Sequence, residues 1–289
     1  MGFLEGKTAE EKVLGGTVFP KVLHPSCTDE SGTGFQVFSP EDFARVVESF
    51  KWDEMCYMGA TTRVKVAHRV HTANEAPLHQ LINFHHEMSL LKEFPSKIFF
   101  FCSVPSPEGG ETSIVPSHII LEKMEERVPE FVRRLSETGC IFSFKTPKEE
   151  DSGAVVSKTW KTLLQTDDQV EAENRARAMI ACDSVVFNQD GSAEFIFGPM
   201  NPIKELEGKR VWFRTILSYT GNERDVEVSF SDGSPFPVEA TNAYKSILEE
   251  NCVDLSWQKG DILLVDNLSV QHARRPGKPP RVILVSICK

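Results

Sequence analysis

Two places in this 289-residue chain hold side chains that could bind a metal together: Phe84-His85-His86-Glu87 and, far downstream, His272. Along an extended segment side chains alternate faces, so His85 and Glu87 point one way and His86 the other. Two imidazoles and one carboxylate on a single triangular face leave three octahedral positions open, an arrangement suited to non-haem Fe(II). The third ligand must come from elsewhere, and His272 is the only histidine after residue 118. Each piece also has an ordinary reading. His85 could be a half-buried core histidine, Glu87 a surface carboxylate and His272 an unremarkable strand residue. The surroundings must decide between the two readings.

The elements around these residues are mostly strands. Lys97 to Val104 is apolar enough for a buried strand, and Gly109-Gly110 turns into a second, Glu111 to Val115. Four short C-terminal strands follow one another: Asp254 to Trp257, Asp261 to Val265, Val270 to Ala273 and Arg281 to Cys288. Asp190-Gly191 marks a hairpin between Ser184–Phe187 and Ala193–Phe197, and Val211 to Tyr219 reads as a further strand. Ser39-Pro40-Glu41-Asp42 announces a helix, with Ser39 as N-cap and Pro40 at the first helical position. Ser117 to Thr138 predicts two helices broken at Pro129, Asp167 to Met179 one more, and Pro237 to Asn251 the last. These helices do not alternate with strands, which argues against a parallel α/β sheet. The expected fold is mainly β with inserted helices, a jelly roll or double-stranded β-helix. Residues 1–289 are read as one domain, with 1–70 as an N-terminal arm and helix and 117–182 as a helical insertion.

Composition narrows the function. The chain carries 42 acidic against 32 basic residues and no basic run, so neither nucleic acid nor an anionic membrane surface is an expected partner. The seven cysteines are scattered without a Cys-x-x-Cys pair, which speaks against a disulfide framework or structural zinc and for a reducing compartment. No apolar run approaches the roughly 20 residues of a membrane span, and residues 1–16 lack a signal-peptide core. An intracellular, cytoplasmic protein with a small-molecule substrate is expected. No P-loop, dinucleotide-binding glycine pattern or nucleophile elbow occurs.

From Asn74 onward the chain resembles the taurine dioxygenase (TauD/TfdA)/clavaminate synthase-like family of Fe(II)/2-oxoglutarate-dependent oxygenases. Asn74-Glu75-Ala76-Pro77 leads into Phe84-His85-His86-Glu87 as it does in members of that family. FPSKIFFFCSVPSPEGGETSIV has the family's strand, Gly-Gly turn and Thr, and WQKGDILLVDNLSVQHARRPGKPPRVILVSI its distal histidine and arginine. The resemblance implies that His85, Glu87 and His272 hold Fe(II). It implies that Thr112, 27 residues after His85, and Arg281, nine after His272, hold the co-substrate 2-oxoglutarate. With O2 the products would be succinate, CO2 and an oxidised, by default hydroxylated, small polar metabolite.

Arg274 and Arg275 compete with Arg281 for the co-substrate. Arg281 opens the last strand and can point inward, Arg274 is expected at the solvated surface, and Arg275 could line the substrate pocket. Asn74, Glu75 and Arg214 are further pocket candidates, while Trp160 and Gln165 stand where a lid would lie. Two other classes stay open on the residues alone. A zinc-dependent hydrolase could use the same three ligands, and a non-catalytic metabolite-binding protein could keep the scaffold.

Overall fold

The computed structural model describes residues 11–22, 37–57, 63–73, 76–150, 158–206, 208–218 and 226–289. A small hairpin, β1 (Lys12–Leu14) and β2 (Thr17–Phe19), precedes α1 (Pro40–Ser49). Helix α1 starts where its sequence dictates. The Ser39 hydroxyl accepts from Asp42 N, and the Asp42 carboxylate accepts from Ser39 N, so two otherwise unpaired backbone donors are satisfied. Next come β3 (Lys65–Ala67), β4 (Val70–Thr72), β5 (Ile82–His85), β6 (Lys97–Val104) and β7 (Thr112–Pro116). The long middle segment makes α2 (Ser117–Arg127), α3 (Pro129–Thr138), β8 (Cys140–Thr146), α4 (Trp160–Leu164) and α5 (Gln169–Met179). It continues through β9 (Ser184–Phe187), β10 (Ala193–Met200), β11 (Ile203–Leu206), β12 (Lys209–Trp212), β13 (Val226–Phe230) and α6 (Val238–Asn251). Strands β14 (Val253–Leu255), β15 (Ile262–Asp266), β16 (Val270–Arg274) and β17 (Val282–Cys288) close the chain.

Two antiparallel sheets position the site. The larger has the order β15-β6-β17-β4-β3, the smaller β14-β7-β16-β5. Strand β6 is apolar at nearly every position because both its faces are covered. Ile98, Phe100 and Cys102 pack inward with Val265, Ile283, Val285 and Ile287. Phe99 and Phe101 pack outward under Phe43 and Val47 of α1, with Phe43 stacked on Phe101 at 5.2 Å. Across the interior, the ring of His272 on the small sheet lies 5.3 Å from Phe100 on the large one. This is the expected double-stranded β-helix.

The middle segment packs against the outer face of the small sheet. Phe84, Val115 and Ala273 join one apolar cluster with Met124, Leu135, Phe142, Phe195 and Tyr244. The stretch 117–182 is more than helical: β8 pairs with both β10 and β13 in a further four-stranded sheet. The strand expected over Val211 to Tyr219 ends at Trp212, and Tyr219 lies outside the described residues. The N–H groups of Phe213 and Arg214 both turn to the Pro202 carbonyl, which ends the β11–β12 ladder. Trp160 is buried and donates to the Gly191 carbonyl (3.2 Å), so it packs and is no lid. Among the described residues no helix is long and apolar enough to cross a membrane.

Gly110 is required where it stands. Its φ is +74°, and a Cβ there would meet Cδ and Nε of Arg281 at 3.0 and 3.2 Å. The turn before β7 therefore admits the Arg281 side chain only because residue 110 has none.

Candidate metal and co-substrate site

Strand pairing brings the two histidines together. In the β5–β16 register His85 lies opposite His272, and their rings are 4.4 Å apart, centre to centre. His85 Nδ1 donates to the Asn83 carbonyl oxygen (2.7 Å), which leaves Nε2 as the lone-pair nitrogen of the neutral ring. Burial lowers the pKa of His85 and holds that of His272 well below the ordinary imidazole range, where the nearby guanidinium of Arg63 lowers it further. Both rings are thus neutral donors near pH 7.

Glu87 arrives by a different route from the one alternation predicts. Strand β5 ends at His85, and the chain turns at once, with Met88 at φ +58°. Asn267 holds that turn. Its Oδ1 accepts from Glu87 N (2.8 Å), and its Nδ2 donates to the Glu87 and Pro95 carbonyls (3.1 and 2.8 Å). Glu87 Oε2 then lies 3.9 Å from His272 Nε2, while Oε1 lies 3.1 Å from Arg63 Nη2. One donor atom from each of His85, Glu87 and His272 falls within 4.8 Å of the others. Two neutral imidazoles and a buried carboxylate at that separation fit a divalent ion of the Fe(II) type. His86 faces away, as expected. Its Nδ1 donates to the Phe213 carbonyl (2.6 Å), its Nε2 accepts from Ser117 Oγ (2.8 Å), and burial pushes its pKa down to about 3.

Arg281 and Thr112 meet beside this group. Thr112 lies opposite Arg274 in the β7–β16 register, two residues along β16 from His272 and on the same face. That offset is roughly 7 Å. Arg281 Nε donates to the Gly110 carbonyl (2.8 Å), and its Nη2 to Thr112 Oγ1 (3.4 Å). Trp257 Nε1 donates to the same Thr112 oxygen (2.9 Å). Burial, with the nearby charge of Arg274, lowers the Arg281 pKa to about 10. Among the described residues no carboxylate lies within ion-pair distance of Arg281.

The taurine catabolism dioxygenase TauD, TfdA family matches residues 33–287. The chain belongs to this TauD/TfdA family. TauD/TfdA proteins are Fe(II)/2-oxoglutarate-dependent oxygenases of small molecules, which makes the chain an oxidoreductase of that class. A clavaminate synthase-like protein of Arabidopsis thaliana is 42% identical over 277 residues, covering 91% of this chain and 83% of that protein. The dapdiamide synthesis protein DdaC of Enterobacter agglomerans is 23% identical over 273 residues, covering 88% and 80%. Among solved structures, the non-heme iron oxygenase OrfP with Fe, succinate and (3S)-hydroxy-L-Arg shares the fold at a TM-score of 0.50 and 14% identity, covering 86% of this chain and 66% of that one.

The other arginines of this TauD/TfdA chain fall into place by strand geometry. Arg274 is buried, not solvated. It sits on the inner face of β16, two residues from His272, and donates to the carbonyls of Ala76, Pro77 and Gln80 (3.0, 2.9 and 3.2 Å). Arg275, its neighbour, therefore takes the opposite face. There it pairs with Glu249 (2.7 Å) and Asp254 (3.2 Å) near the ring of Phe84, away from the pocket proposed for it. Arg214 is buried beside Phe213 and donates to the Asn201 carbonyl (2.7 Å). Asn74 and Glu75 lie outside the described residues.

Sequence reasoning missed three residues here: Arg63, Asn267 and Trp257. Trp257 and Asn267 lie inside the C-terminal run that carries the resemblance but have no role legible there, because their partners Thr112 and Glu87 are 145 and 180 residues away; Arg63 stands in no motif. Asn267→Ala is expected to lower Fe(II) affinity by about 10–100-fold, the scale of losing a group that orients a ligand. Iron titration of the folded variant measures this, and unchanged affinity would mean the turn at Glu87 holds itself.

Proposed function

We propose that this chain uses Fe(II), 2-oxoglutarate and O2 to hydroxylate a small polar metabolite, with release of succinate and CO2. In this reading residues 1–289 act as one oxygenase domain. His85, Glu87 and His272 hold the iron, and Arg281 and Thr112 take the distal carboxylate of 2-oxoglutarate. The observation that carries it is the convergence of three donors beside a guanidinium that has no acidic partner among the described residues. Iron held by His85, Glu87 and His272 would supply the redox chemistry that lets O2 oxidise both 2-oxoglutarate and a substrate C–H bond.

The chain's own residues prepare that reaction. Burial keeps the two imidazoles neutral, so their lone pairs are available at neutral pH. The Asn83 carbonyl orients the His85 ring, as outer partners do for metal-bound histidines. Arg281 presents a planar fork to a carboxylate, which relieves the cost of keeping its charge buried. Thr112 Oγ1 accepts from both Trp257 and Arg281, which occupies its two lone pairs. Its own proton is then left to donate to the co-substrate carboxylate. The apolar interior around Phe100 keeps competing water out.

Trp257→Phe tests the Thr112 argument. Losing one neutral hydrogen bond of net worth about 1 kcal/mol should weaken 2-oxoglutarate binding roughly 5-fold, without affecting iron binding. The whole reading is tested by adding 2-oxoglutarate and Fe(II) to the protein without oxygen. A weak visible charge-transfer band is expected. Folded, metal-loaded protein that gives no band would sink the proposal and favour a redox-inactive hydrolase or binding protein.

A further inference from the structure

We propose that Arg63, backed by the ring of Tyr57, is a second anion-binding position, and that it takes a carboxylate carried by the primary substrate. The inference rests on the iron and 2-oxoglutarate reading above. It begins with a buried cation that has too few partners among the described residues. The Arg63 side chain is 7% exposed, and its guanidinium carbon lies 3.8 Å from the centre of the Tyr57 ring. A ring covering one face leaves the in-plane N–H groups to do the bonding. A guanidinium has five such hydrogens. Among the described residues Arg63 makes a single polar contact, the ion pair of Nη2 with Glu87 Oε1 at 3.1 Å, and its buried Nε has no partner. Buried polar groups are nearly always hydrogen-bonded. The terminal nitrogens of Arg274 show the ordinary solution, with three backbone carbonyls around them.

Position and charge then say what fits. The two oxygens of Glu87 divide their contacts, Oε2 towards His272 and Oε1 towards Arg63. A group held by Arg63 therefore lies next to the metal-binding side chains, where a molecule must sit to be oxidised. In the loaded centre, Glu87 and the two carboxylates of 2-oxoglutarate bring three negative charges. Fe(II), Arg281 and Arg63 bring four positive ones. Arg274 and Glu111, both felt by Arg281, add one charge of each sign and leave the balance unchanged. Among the described residues one positive charge remains, and Arg63 is the residue there with open donors. A planar carboxylate matches both the charge and the fork. A cationic group in that position would be repelled.

The test uses wild-type protein with Fe(II), 2-oxoglutarate and O2, and matched sets of small carboxylic acids, including amino acids, with their primary amides and alcohols. Succinate formation is the readout. The compounds that stimulate it are expected to be acids, and their amides should lose about 30-fold or more in kcat/KM, the scale of removing one partner from a buried charge pair. In Arg63→Gln and Arg63→Lys at saturating iron, KM for the active acid should rise while the 2-oxoglutarate titration of the visible band stays in place. Amides or alcohols that work as well as their acids would overturn the proposal. So would a set in which no acid stimulates although the band is present, or Arg63 variants that shift amide and acid KM alike. A missing band, by contrast, is a failure of the iron and 2-oxoglutarate reading and not of Arg63.

Discussion

Replacing His272 with alanine is expected to abolish tight Fe(II) binding and turnover together, while the fold survives. The ring supplies one of three donors that lie within 4.8 Å of one another. Changes to groups that merely orient a ligand cost roughly 10–100-fold in affinity, and removing the ligand itself must cost more. The remaining pair is also poorly placed to compensate, since Glu87 is shared with Arg63. Folding depends on His272 far less. Its Nδ1 has no hydrogen-bond partner among the described residues, so alanine breaks no buried bond there. His86→Ala should behave in the opposite way. That ring is bonded on both sides, to Phe213 and Ser117, so its loss should cost about 2–4 kcal/mol of stability. Thermal melts and iron titrations on the two variants separate the roles. Equal loss of iron affinity in both would refute the assignment of His85 and His272, and not His86, to the metal.

The second large effect is expected at Arg281. Arg281→Met should raise KM for 2-oxoglutarate by about 30-fold or more, the cost of leaving a carboxylate in a buried site without its cation. Iron affinity should hardly change, because Arg281 bonds to Gly110 and Thr112 and not to the three donors. Arg281→Lys keeps the charge and loses the planar fork, so it should recover only part of the affinity. Measuring 2-oxoglutarate binding by the visible band, with iron saturating, keeps the two sites apart. An unchanged titration would return the co-substrate to Arg274, which faces the same interior from β16.

Much of this protein is local, and local features are legible in a sequence. The capping box at Ser39 and Asp42 sets the start of α1, because a helix end is satisfied by residues three apart. The run Lys97 to Val104 announces a strand covered on both faces, and Phe99 and Phe100 do pack on opposite sides. His86 points away from His85 because neighbours on an extended chain must. Motif order placed Thr112 and Arg281 in one cluster, although their hydrogen bond spans 169 residues.

What the sequence by itself determined, then, is the family, the fold class and the residue types of the candidate site. Only the tertiary structure decided how they converge. Glu87 reaches the histidines through a turn clamped by Asn267, 180 residues away, and not through strand alternation. Arg274 is buried and Arg275 is not in the pocket, since the inner face of β16 is fixed by pairing with β5 and β7. Arg63 stands in no motif, and Trp257 opens the C-terminal run without a role that the run itself shows. Their significance lies in a buried charge and a shared hydroxyl, and both are properties of partners that folding alone brings within reach.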